Sequence, residues 1–118
     1  MELIEKIAQA ALMRDSLLLR SLVQDFTHAN LEISKLPKPV TDNYNLLVMT
    51  AAITELLAER TNQSPPYWTR EIGSLSEPFF LLESAQQMKR LRDLCEKESP
   101  EPLRKRLLYA PPHFLQYA

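Results

Sequence analysis

Glycine is almost absent from this sequence of 118 residues, in which Gly73 is the only one against nine prolines. Folds rich in β-structure usually need several glycines, because the tight turns between strands use backbone conformations that other residues adopt only with strain. Helices separated by proline-containing breaks have no such need. The shortage of glycine therefore predicts an all-α fold and excludes the glycine-rich loops that bind phosphates.

Cysteine and histidine are also scarce. Cys95 is the only cysteine, which excludes an intramolecular disulfide and a thiolate metal cluster and suits a reducing cytosol. It lies in an apolar stripe with Leu91 and Leu94, which favours a buried, unreactive thiol. His28 and His113 are far apart and lack metal-ligand spacing, so we expect ordinary surface or half-buried residues. We predict no catalytic, cofactor-binding or metal-binding residue and no enzyme activity.

Charge of one sign and long apolar runs are missing as well. The net charge is −1 and the isoelectric point about 6.1, so the overall field is too weak to draw the protein to nucleic acid or an anionic membrane. No apolar run approaches the roughly 20 residues that cross a bilayer. The first six residues are acidic and lack the basic region of a signal peptide. We therefore expect a cytoplasmic protein that contacts no membrane.

Apolar residues recur every three to four positions along much of the sequence, which is the pattern of amphipathic helices. The predicted main helices cover residues 3–12, 16 to about 30, 42 to about 60 and 84 to about 95, and shorter helices cover 65–72 and 99–106. Together they predict a compact bundle of about four main helices, with short helices and an irregular C-terminal half rich in proline and aromatic residues. Because neither half could bury its apolar residues alone, we predict one domain, 1–118.

The third of these helices is predicted to lie at the centre of the bundle, since residues 46–53 are apolar on nearly every face. Thr41 or Asp42 is expected to cap its start. Glu55 and Glu59 lie four residues apart, a geometry that can bind a metal in a helical bundle. The sequence supplies no Glu-x-x-His motif to complete such a site. A solvated end of the helix is therefore the favoured interpretation of this pair.

Aromatic residues form one candidate binding surface. Tyr67 and Trp68 follow two prolines, and Phe79 and Phe80 form a pair in a turn-rich stretch. Such residues can anchor a protein partner. More often they pin irregular backbone to the core, and we favour that role.

Basic residues form the other candidate. From Ser84 to the end there are seven Lys or Arg against four Asp or Glu, the basic residues being Lys89, Arg90, Arg92, Lys97, Arg104, Lys105 and Arg106. A face of this kind can bind a phosphate backbone or an acidic protein surface. The interpretation we favour is a solvated face, in which one arginine of the last three hydrogen-bonds to carbonyls of the irregular segments.

Several short motifs follow one another in the second half of the chain. They are Pro-Pro-Tyr-Trp-Thr at 65–69, Leu-Ser-Glu-Pro-Phe-Phe at 75–80, Leu-Arg at 91–92, Ser-Pro-x-x-Leu-Arg-x-Arg at 99–106 and Tyr-Ala-x-x-x-Phe-Leu-x-x-Ala at 109–118. In this order they resemble the C-terminal half of an uncharacterised family of small bacterial helical proteins. That family usually has Phe in place of Leu103 and Arg in place of Tyr117. The resemblance implies association with bacterial operons of toxin–antitoxin or nucleotidyltransferase type, and it transfers no catalytic residue.

These observations predict a non-enzymatic protein-binding or regulatory module of a bacterial cytoplasmic system, antitoxin-like, whose partner is the product of a neighbouring gene. The predicted partner-binding residues are Tyr67, Trp68, Arg104, Lys105 and Arg106. One alternative is a nucleic-acid-binding protein that uses the basic face between Lys89 and Arg106, with contacts from Lys89, Arg90, Arg92 and Lys97. Another is a homodimer with a purely structural role.

Overall fold

The computed structural model of the protein describes residues 2–116, and within this range it contains five α-helices, three short 3-10 helices and one pair of two-residue strands. The α-helices are α1 (Leu3–Leu12), α2 (Ser16–Ala29), α3 (Tyr44–Arg60), α4 (Lys89–Glu98) and α5 (Glu101–Arg104). The 3-10 helices cover Ile33–Lys35, Tyr67–Glu71 and Glu83–Gln86, and the strands are β1 (Phe79–Phe80) and β2 (Leu108–Tyr109). The predicted all-α fold is confirmed.

α3 lies at the centre of the fold. Every residue from 48 to 58 is buried, and the helix packs against α1, α5 and two of the 3-10 helices. Ala51 and Ala52 are fully buried, so their small side chains let neighbouring helices approach closely. The buried hydroxyls of Thr50 and Thr54 donate to carbonyls one turn earlier, which satisfies them inside the core. The predicted central position is confirmed.

The two longest helices begin at side-chain caps. The carboxylate of Asp15 accepts a hydrogen bond from a backbone amide in the first turn of α2 at 3.1 Å. α3 is capped by Asn43, whose side chain accepts from the amide three residues on at 3.1 Å. The predicted caps Thr41 and Asp42 are therefore wrong by one or two residues, because only Asn43 directly precedes the first helical residue. None of the helices within residues 2–116 is both long and apolar enough to cross a membrane.

Two predicted helix starts in the C-terminal half are also wrong. The helix predicted over 65–72 begins two residues late, because the backbone stays extended through Pro66 and the 3-10 helix begins at Tyr67. Ser84 was expected to open a long helix but lies in a 3-10 helix, and α4 begins only after Met88. In both places the chain makes short turns where the capping pattern alone predicts a helix.

The C-terminal half packs on the same apolar core as the helical half. Its contributions to that core include Leu75, Leu81, Leu103, Leu108 and Phe114. Arg60, near the end of α3, fixes the last described segment by donating hydrogen bonds to the carbonyls of Phe114 and Pro112. The irregular segments are therefore held to the central helix at several points.

The strands β1 and β2 join the turn-rich stretch around Phe79 and Phe80 to the segment that follows α5. They pair in parallel, with Phe79 opposite Leu108 and Phe80 opposite Tyr109. The rings of Phe80 and Tyr109 pack with their centroids 5.3 Å apart. Phe79 and Phe80 are half-buried, which agrees with the favoured role of pinning irregular backbone.

Candidate partner-binding site

Arg106 joins three segments that are distant in sequence. Its Nη1 atom donates to Glu55 Oε1 at 2.6 Å and to the carbonyl of Pro102 at 2.9 Å, and its Nη2 atom donates to the carbonyl of Thr69 at 2.9 Å. α3, the end of α5 and the Tyr67–Glu71 helix are thereby fixed to one another. Of the three consecutive basic residues, this is the one that plays the predicted structural role.

Glu55 is the acidic partner of this arginine, and it is not the solvated residue that was predicted. The side chain is only 8% exposed and its Oε1 atom also accepts from Lys105 Nζ at 3.0 Å. Burial raises the pKa of the carboxyl, but the hydrogen bonds and charges of Arg106 and Lys105 outweigh this and lower the pKa below its ordinary value. The prediction failed because the cationic partners lie some 50 positions away in sequence.

The two aromatic residues after the double proline have opposite environments. Tyr67 is 76% exposed, whereas Trp68 is 5% exposed and its indole Nε1 donates to the carbonyl of Leu36 at 2.8 Å. Trp68 therefore anchors the long connection between α2 and α3, which is the favoured core role. Trp68 and Arg106 were both predicted to contact a partner, and their burial removes them from any contact surface.

A cleft lies between the end of α3, Pro65 and α5. It has a volume of about 350 Å³, and its walls include Glu59, Pro65, Glu101 and Lys105. Pro65, one of its walls, stands two residues before the exposed Tyr67 in the chain. We call the group of Tyr67, Pro65, Glu59, Glu101 and Lys105 the Tyr67 face.

The predicted basic contacts of a partner are only partly available. Lys105 lies on the Tyr67 face with its side chain about half exposed, and it shares the Glu55 carboxylate with Arg106. Arg104 is exposed, but its Nη1 atom donates to the carbonyl of Lys97 at 2.8 Å and so holds the end of α4. Of the five predicted partner-binding residues, Tyr67, Arg104 and Lys105 are thus exposed, and Lys105 lines the cleft together with Pro65.

The residues of the nucleic-acid alternative lie on α4. Lys89, Arg90 and Lys97 are exposed, while the exposed Arg92 uses its guanidinium to bind the carbonyls of Ala85 and Gln86. The same short helix also carries three carboxylates, on Asp93, Glu96 and Glu98. Because this helix carries four basic and three acidic side chains, with the acidic ones from Asp93 onwards, its surface is mixed in charge.

No arrangement typical of a metal centre or a reactive thiol is found among residues 2–116. No group of three or more His, Cys, Asp or Glu side chains could hold a metal ion in this part of the chain. Cys95 is fully buried, as predicted, and burial raises the pKa of its thiol. His28 and His113 are both exposed. Near Cys95, the apolar side chains of Met88 and Leu94 are exposed. Of the apolar stripe predicted for α4, Cys95 is therefore the one residue that is buried.

Sequence reasoning missed that Arg106 binds the Glu55 carboxylate and the Thr69 carbonyl. Glu55 stands between buried residues in the middle of an apolar run, and that position is the signal that its carboxylate needs a cationic partner. The carbonyl of Thr69 carries no comparable signal, because any residue offers the same acceptor.

No model of a known protein family, no curated protein and no solved structure matches this chain. The resemblance of residues 64–118 to a bacterial family therefore stays a prediction, and its last two positions, Tyr117 and Ala118, lie outside the described residues. Several residues of the shared pattern are internal supports: Trp68, Thr69, Ser99 and Arg106 are all buried. The shared pattern thus contains residues on which packing depends.

Proposed function

We propose that this protein is a non-enzymatic protein-binding module and that the Tyr67 face is its contact surface. The observation that carries the proposal is the contrast between Tyr67 and its support. The tyrosine ring is 76% exposed, while the backbone beneath it is fixed through Thr69 to Arg106 and through Trp68 to Leu36. An exposed tyrosine on a fixed backbone can bury a large area in an interface at a small cost in conformational entropy.

The rim of this surface supports a protein partner with charged residues of both signs. Glu59 and Glu101 contribute negative charge beside the cleft, and Lys105 contributes positive charge. An aromatic anchor surrounded by polar residues is the usual composition of a protein interface. A partner would place an apolar side chain or proline against Tyr67 and complementary charges around it.

The resemblance at 64–118 supports a more specific setting for the same function. It favours a bacterial, cytoplasmic, antitoxin-like regulator that binds the product of a neighbouring gene. In such a pair the chain would act by occupying a surface of its partner, which requires no catalytic group of its own.

The test compares Tyr67→Ala with Val40→Ala, which removes a fully exposed apolar side chain elsewhere. The protein is recovered from its native host at native expression, and any neighbouring gene product that is retained is purified and titrated by calorimetry. We expect Tyr67→Ala to weaken binding about 30-fold or more, the effect of a hot-spot residue, and Val40→Ala to leave it unchanged. Equal affinities of the two variants, or no retained gene product, would contradict the proposal.

A further inference from the structure

We draw no further inference here: the strongest candidate, the apolar cleft of about 310 Å³ between the α1–α2 turn, residues 81–83 and residues 111–116, carries none because nothing among residues 2–116 shows what occupies or covers it.

Discussion

Arg106 is flanked by Arg104 and Lys105, yet it alone of the three is buried. Its guanidinium meets a carboxylate and two carbonyls from three segments, and only its Nε atom lacks an acceptor among the described residues. A buried charge is costly unless it is paired and hydrogen-bonded. The stability of this region therefore depends on keeping both members of the Glu55–Arg106 pair.

Arg106→Met is expected to lower the free energy of unfolding by about 3 kcal/mol, because among residues 2–116 it leaves the buried carboxylate of Glu55 with Lys105 as its one cationic partner. Urea denaturation measures the change. Arg90→Met is the matched control, since Arg90 is exposed on α4, and it should alter the free energy by no more than about 0.5 kcal/mol. Equal decreases in the free energy of unfolding of the two variants would show that the Glu55–Arg106 pair does not stabilise the fold.

The lowered pKa of Glu55 predicts a specific dependence on pH. A carboxyl whose pKa is lower in the folded state stabilises the fold above its unfolded pKa, and this contribution is lost as the pH falls through the folded value. Glu55→Gln lacks the titrating group. We therefore expect wild type to be more stable than Glu55→Gln near pH 7, and the difference to narrow between about pH 5 and pH 3.

Urea denaturation of both proteins across this range provides the measurement for Glu55. A difference that stays constant from neutral to acidic pH would contradict the assigned ion pair. A difference that widens on acidification would mean that the folded state raises the pKa of this carboxyl.

At the scale of elements, α4 and the segment after α5 are joined by one buried hydroxyl. Ser99 Oγ accepts from the amide of Ala110 at 2.8 Å, and the same hydroxyl contacts the carbonyls of Ala110 and Cys95. Ser99→Ala would leave the buried amide of Ala110 without an acceptor. We expect a loss of about 1 to 3 kcal/mol in the free energy of unfolding.

Ser21→Ala is the control for this element, because Ser21 is exposed on α2 and alanine favours a helix. It should leave stability unchanged or slightly raised. If Ser99→Ala behaves in the same way as Ser21→Ala, the hydroxyl does not hold these two elements together.

Local sequence patterns predict where the helices lie better than they predict which elements pack against each helix. α3 could be predicted from residues 46–53 because a helix that is apolar on every face has to be buried. The exposure of Leu17 and Leu18 could not be predicted, because three consecutive leucines, Leu17 to Leu19, do not show which side of the helix a neighbouring element covers. The strands were missed because a pairing of two residues is too short to leave an alternating pattern.

The candidate site was only half predictable for a related reason. Tyr67 and Lys105 belong to motifs that are visible in the sequence, from which both are predicted to contact a partner. Which aromatic and which cation would be buried was decided by Leu36, Thr69 and Glu55, whose contacts with them span more than 30 positions.

At the scale of the whole molecule, the apolar core is continuous from α1 to the segment after β2. The Tyr67 face lies outside this core and is proposed as the contact surface for a different protein.

The most direct test of the central claim is photo-cross-linking in the native host, with p-benzoylphenylalanine placed at position 67 or, as a control, at position 40. Both positions are strongly exposed, so the two probes have similar access to solvent and to passing proteins. The Tyr67 face predicts a discrete adduct of higher mass from position 67 and none from position 40. No adduct from position 67, or the same adducts from both positions, would contradict it.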